Sequence, residues 1–281
     1  MPDLSFAFLT LFVFGIKDVI NKKILETNDV YSLLLTEYVL AMPFLIGALA
    51  IFSTFAFPSG NMLWLIVFSS LVGAVSIIAY FRAIQSSSVS LIFAVASSFP
   101  FFSALFSVLF LKEPFYPLYY LALPAIIIAL AMLAYKKGGI KNLFDPAIVL
   151  ALISSIGWGA FFTAAKVVSL SMNAFNASVW MEGGVLLGIA LFFLLQKKKI
   201  TLSKAENIPA MLLSYVVLFS IGVVSMNLSM LYAGVSLSSM ITAAAPGLTA
   251  IIAFLVLKEK LSKLQYAGIA LLIASVVMLS L

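Results

Sequence analysis

The sequence predicts an all-α membrane protein of ten transmembrane helices, built as two inverted five-helix repeats. Three observations predict it. Of the 281 residues, 64% are hydrophobic and only 9% are charged. The apolar residues fall into long, nearly uninterrupted runs separated by short polar connections. The second half of the chain also repeats polar and proline landmarks of the first in register.

A soluble domain carries roughly 25% charged residues, so this chain lacks the charge to cover a water-facing surface, and the bilayer is its solvent. A spanning helix needs about 20 mainly apolar residues. Runs of that kind lie near 4–22, 30–52, 62–81, 87–111, 117–135, 147–169, 174–195, 208–231, 235–257 and 263–281. Turn and charge signals punctuate them, among them Pro58-Ser59-Gly60-Asn61, Lys136-Lys137-Gly138-Gly139 and Lys197-Lys198-Lys199. No connection is long enough for a separate soluble domain. The runs are continuous rather than alternating, which argues against a β-barrel. The start, Met1-Pro2-Asp3, lacks the basic n-region of a signal peptide, so the first run is read as a retained helix.

A shift of 146 residues sets Val89-Ser90-Leu91 on Val235-Ser236-Leu237, Pro100 on Pro246, Leu111-Lys112-Glu113 on Leu257-Lys258-Glu259, and Tyr120 on Tyr266. A shift of 144 sets Phe14-Gly15 and Lys22 on Trp158-Gly159 and Lys166, and a shift of 145 sets Glu37 on Glu182. Chance apolar similarity does not reproduce proline and charge in register. The first repeat is taken as 1–138 and the second as 139–281. Five spans per repeat is an odd number, so the second repeat enters the membrane upside down. Inverted repeats are a secondary-transporter architecture, with the substrate held near the midplane where the halves meet.

Basic residues orient the chain. Connections 1–2, 3–4, 5–6, 7–8 and 9–10 hold Lys22, Lys23, Arg82, Lys136, Lys137, Lys141, Lys197, Lys198, Lys199, Lys204, Lys258, Lys260 and Lys263, against Lys112 alone on the other side. The positive-inside rule makes the first set cytoplasmic, with both termini outside. The net charge of +6 is therefore an orientation signal and not a nucleic-acid footprint.

Ionisable groups inside spans are functional suspects, because their burial is expensive. Lys17 and Asp18 lie in the first span, Lys22 at its end, Glu37 in the second, Lys166 near the end of the sixth, and Glu182 in the seventh. At about 1.5 Å of rise per residue, Lys17 is expected level with Glu37, and Lys166 level with Glu182, on opposite sides of the midplane. Two readings stay open. The carboxylates could couple proton movement to substrate, or the Lys–Glu pairs could be structural bridges. Pro100 and Pro246 form a second set, preceded by Ser97 and Ser98 and by Thr242 and three alanines. A proline inside a span frees a backbone carbonyl, and interrupted spans at matching places point to a binding site. Pro43 and Pro124 lack proline counterparts and read as local kinks. Tyr80, Trp158 and Asn227 form a third set. Asn227 needs a hydrogen-bond partner from another helix or a ligand, and Trp158 offers an apolar wall or a face for a cation. Tyr232 reads as an interface-belt residue, and Arg82 as a snorkelling anchor.

Trp158-Gly159 with Lys166, the small-residue fourth and ninth spans with a central proline, and their Leu-Lys-Glu exits together resemble the EamA-like branch of the drug/metabolite transporter superfamily. That resemblance covers nearly the whole chain. It implies ten helices and export or exchange of small organic solutes such as amino acids, sugars or nucleotide derivatives. The family often has a basic residue in the second span of each half. Glu37 and Glu182 stand there in this chain, a departure that removes the ground for expecting an anionic substrate.

Other classes fare worse. The absence of Cys and His excludes thiol chemistry, Cys/His metal sites and His-based acid–base catalysis. Only Asp18 among the aspartates lies clearly in a span, no Walker or dinucleotide motif occurs, and no filter motif is repeated. An enzyme is therefore not expected, and neither is a cofactor. The expected reading is an alternating-access transporter whose first, third, fourth, sixth, eighth and ninth spans line a cavity. Its expected partners are a small-molecule solute, membrane lipid and protons. A monomer and a homodimer both fit, and a flippase for a lipid or lipid-linked substrate on the same fold is the alternative, ahead of an integral membrane enzyme.

Overall fold

The computed structural model describes residues 3–25, 30–86, 92, 95–135, 145–197, 208–256, 258 and 261–280, the side chains at 22, 23, 25, 30–32, 84–86 and 134 excepted. Its helices are α1 (Ser5–Leu25), α2 (Val30–Phe52), α3 (Asn61–Ser86), α4 (Phe99–Leu111), α5 (Pro117–Ala134), α6 (Pro146–Met172), α7 (Ala174–Gln196), α8 (Ile208–Ala233), α9 (Val235–Val256) and α10 (Lys263–Ser280). Among the described residues there is no strand.

Seven of these helices are long and apolar enough to cross a membrane among the described residues, with α4 and α5 shorter apolar helices. The polarity is inverted relative to a soluble protein. Phe57, Trp64, Phe68, Leu187 and Leu194 are 70–78% exposed, whereas Ser155, Asn176, Ser178, Ser214, Ser229 and Ser238 are fully buried. A hydrocarbon solvent favours this arrangement, since each polar group must find its partner inside the protein. The chain is a multi-pass membrane protein.

Single residues make the sharpest turns. Asn173, at φ 70°, ends α6 and opens α7, where its side-chain oxygen accepts from the N–H groups of Phe175 and Asn176 at 3.0 Å each. Gly234, at φ 86°, does the same between α8 and α9. Asp145 caps α6 by accepting from Ala147 N–H at 2.8 Å, with Pro146 in the first turn, where its missing N–H costs nothing. The last turn of α4, Ser107–Leu111, is π-helical.

The fourth and ninth spans differ from expectation in one respect. The α9 span is broken at Ala243-Ala244 into Val235–Thr242 and Ala245–Val256, and in the fourth span a turn at Ser97-Ser98 separates the helical residues Val95-Ala96 from α4. Pro100 and Pro246 therefore sit in the first turn after a break rather than inside a helix. A mid-helix proline would forfeit a hydrogen bond and clash with the preceding turn, and breaking the span just ahead of it avoids both costs. Pro43 and Pro124 do lie inside helices, α2 and α5.

The packing pairs helices across the halves. The main partners of α1 are α8 and α9, those of α6 are α3 and α4, α2 lies on α7, and α5 on α10. Glycine allows the closest approaches. A Cβ at Gly159 would come within 2.6 Å of Phe102, and one at Gly15 within 2.8 Å of Leu248. The sequence repeat relates these contacts, since Gly15 aligns with Gly159 and Phe102 with Leu248.

Candidate substrate site at the seam

The second-span glutamates are held where α1, α2 and α7 meet. Glu37 and Glu182 are only 6% and 7% exposed. The Lys17 ammonium pairs with Glu37 at 2.7 Å and lies 5.4 Å from the centre of the Phe219 ring. Tyr38, the next residue on α2, packs edge-on to Phe219 at 5.2 Å and lies near Glu182 across the α2–α7 contact. The charges of Lys17, Glu37 and Glu182 lie close enough to interact. Asp18 lies within electrostatic range of Lys17, Glu37 and Tyr80. Tyr80 then packs on Trp158 at 5.3 Å, and Trp158 on Phe99 at 6.3 Å. The Tyr80, Trp158 and Phe99 rings thus form an aromatic row across α3, α6 and α4.

This arrangement overturns one expected pairing. Lys17 does meet Glu37, but Lys166 does not meet Glu182. Lys166 binds Glu113 at 2.5 Å. Lys112 is left-handed at φ 57° and closes α4 by donating to Ser107, and the next residue, Glu113, then meets α6 and α9. Glu182 instead lies across the α2–α7 contact from Tyr38, within electrostatic range of Lys17 and Glu37. Glu113 was the residue that sequence reasoning passed over. Its signal was the Leu-Lys-Glu exit, present in both halves and read there only as a helix end.

The other sequence candidates divide into two groups. Ser98 shares a 3.0 Å hydrogen bond with Ser155 of α6, Ser97 is buried, and Pro100 follows Phe99 directly, so these three lie at the α4–α6 contact beside Trp158. Asn227 and Thr242 have helix partners in the second half. The Asn227 amide donates to Ser178 at 2.9 Å and its oxygen lies 3.5 Å from the Ser169 hydroxyl, while the Thr242 hydroxyl lies 3.6 Å from the Met226 sulfur. Pro246 is buried in α9. Arg82 is exposed and covers the Phe192 ring at 4.9 Å, and Tyr232 is exposed and stacks on Phe6 at 5.8 Å. The side chain of Lys22 and the residues Lys136, Lys137, Lys141, Lys198, Lys199, Lys204, Glu259 and Lys260 lie outside the described residues. No group of three metal-ligating side chains occurs among the described residues.

The chain is similar across nearly its whole length to a protein known from a crystal structure. That likeness has a TM-score of 0.81 at 16% identity and covers 97% of this chain and 94% of the other, which establishes the shared fold. No curated protein matches the chain. The sequence model of the EamA-like transporter family matches twice, over residues 2–135 and again over 145–281. With both halves matched in tandem, the chain belongs to the EamA-like transporter family.

Proposed function

We propose that the protein is a secondary transporter that exports or exchanges small organic metabolites such as amino acids by alternating access. In this reading it has ten spans in two inverted halves, 1–138 and 139–281, with the basic connections cytoplasmic and both termini outside. The observation that carries it is the 2.7 Å Lys17–Glu37 ion pair, with buried Glu182 and partly buried Asp18 within electrostatic range of it. Ionised groups are costly inside membrane spans, where they pair with one another and mark ligand or ion pathways. These groups offer both signs of charge, an ammonium for a carboxylate and carboxylates for an ammonium, which suits a zwitterion. Tyr80 and Trp158 provide an adjoining wall for its side chain. Proton coupling follows if substrate binding reorganises the Lys17–Glu37 pair. A carboxylate that loses its ammonium partner in a low-dielectric site binds a proton more readily.

Flux in proteoliposomes tests this. Vesicles preloaded with a pool of amino acids and sugars should show saturable exchange of one solute class, accelerated by a pH gradient. Glu37→Gln and Glu182→Gln should abolish the gradient-driven component and leave exchange partly intact. Full gradient-driven flux in both variants would end the coupling role.

A lipid substrate is the second reading. A lateral groove of 390 Å³ between α3 and α6, lined by Phe68, Leu71, Val75, Ile153 and neighbours, has room for an acyl chain. Its polar side chain, Ser76, donates to the Val72 carbonyl at 2.6 Å, which leaves a headgroup little to bind. Lipid movement between leaflets without saturable solute exchange would favour this reading.

A further inference from the structure

The connections α2–α3, α4–α5, α6–α7 and α8–α9 share one face of the membrane if each helix crosses it. On that face the halves are fastened together by bonds that all run from one half to the other. Both Glu113 carboxylate oxygens accept from Val235 N–H, at 3.1 and 3.0 Å, and one also accepts from Ser236 N–H at 3.4 Å. The same carboxylate binds Lys166 of α6 at 2.5 Å. Gly234 makes the approach possible, since a Cβ there would lie 3.2 Å from a Glu113 oxygen and its φ of 86° disfavours any side chain. One carboxylate thus joins the end of α4 to α6 and to the positive N-terminus of α9. It does so largely out of solvent, with the Glu113 and Lys166 side chains 11% and 14% exposed. Ser107 and Ser236 add a 2.8 Å hydroxyl pair. At the neighbouring corner Asn173 donates to Ser53 at 2.9 Å and Asn176 to the Thr54 carbonyl at 2.9 Å. Ala56 N–H donates to the Asn176 side chain at 3.0 Å, and the Trp180 indole donates to the Ala56 carbonyl at 2.9 Å.

We infer that Glu113 is the latch of this face: its carboxylate holds α4, α6 and α9 together while this face is closed, and its release from Lys166 and Val235 opens the seam site toward the same face. This rests on the transporter reading above. The latch is a breakable kind of contact, because its strength comes from one desolvated carboxylate with four donor bonds. Rehydrating that carboxylate offsets much of the cost of parting the helices. Apolar packing between the same helix ends would have no such compensation in water. Lys258, at the matching exit of α9, is also left-handed, at φ 54°.

The chain has no cysteine, so an introduced one reports accessibility without background. Ser98→Cys places a thiol at the α4–α6 contact beside Trp158, and Ser275→Cys places a control thiol buried in α10. A membrane-impermeant maleimide is applied from the Lys112 face of the full-length protein in proteoliposomes. Glu113→Gln and Lys166→Met should raise labelling at position 98 by at least about tenfold, with no change at position 275. Lys166→Arg, which keeps the charge, should restore slow labelling. If Glu113→Gln fails to fold, Gly234→Ala displaces the same carboxylate and should give the same result. Unchanged labelling at position 98, or an equal rise at position 275, would overturn the latch. Labelling needs no substrate, so the two readings can fail separately. A latch response without flux of any solute would sink the transporter reading alone, and flux without a latch response would sink the latch alone.

Discussion

The Lys17 ammonium and the Glu37 carboxylate meet at 2.7 Å inside the bundle, and the Phe219 ring of α8 lies 5.4 Å from that ammonium. Three helices are thereby tied together by one charge pair. Breaking a buried pair from one side leaves an unpaired charge, which costs about 3–5 kcal/mol, whereas replacing both partners with neutral groups costs much less.

Lys17→Met alone and Glu37→Gln alone should therefore lower the thermal unfolding midpoint of the detergent-purified protein more than the double variant does. A double variant as unstable as the sum of the two would show that the groups are not coupled.

Glu182 lies near Tyr38, across the contact of α2 and α7. Tyr38→Phe should leave the protein folded but change how flux responds to a pH gradient, because it removes the α2 hydroxyl that lies near Glu182. The check is the ratio of gradient-driven to exchange flux in proteoliposomes. An unaltered ratio would remove Tyr38 from the coupling path.

Gly157 faces Ser76 so closely that a Cβ would lie 1.9 Å from the serine oxygen, and that oxygen is held by its bond to Val72. Gly157→Ala should destabilise the α3–α6 contact by about 1–3 kcal/mol, the usual cost of overpacking. Adding Ser76→Ala should recover part of that loss in the same unfolding assay, since the nearest remaining atom, the Ser76 Cβ, is 3.2 Å away.

Asn227 and Ser178 are bonded at 2.9 Å between α8 and α7. A double-mutant cycle with Asn227→Ala and Ser178→Ala should give a coupling of about 0.6–1.7 kcal/mol, the range for hydrogen bonds between membrane helices. Strict additivity would mean that the amide's main partner lies elsewhere.

The helices were legible from composition because a hydrocarbon solvent leaves little choice. Spans expected at 30–52, 117–135, 174–195 and 235–257 appear as Val30–Phe52, Pro117–Ala134, Ala174–Gln196 and Val235–Val256. The Lys17–Glu37 contact was legible as well, because helical rise converts residue number into depth. What depth cannot supply is direction around a helix. Lys166 and Glu182 stand at comparable depths, yet Lys166 turns toward α4 and α9 while Glu182 turns toward α2. Periodicity normally supplies that direction, but these spans are apolar on every side and carry no amphipathic stripe. The breaks ahead of Pro100 and Pro246 were half legible. Proline marked the place, and only the backbone shows that the preceding residues, Ser97-Ser98 and Ala243-Ala244, absorb the disruption.

The cross-pairing of α1 with α8 and α9, and of α6 with α3 and α4, bears on how the chain comes to be assembled. Each half is a unit of heredity without being a unit of stability. Its helices find their strongest neighbours in the other half, so a newly inserted first half has no finished interior until the second arrives. Cotranslational assembly must then keep α1, with its Lys17 and Asp18, in the bilayer without its final companions until α8 and α9 emerge. A chain severed between α5 and α6 should accordingly be rescued by supplying both pieces together and degraded when either is made alone.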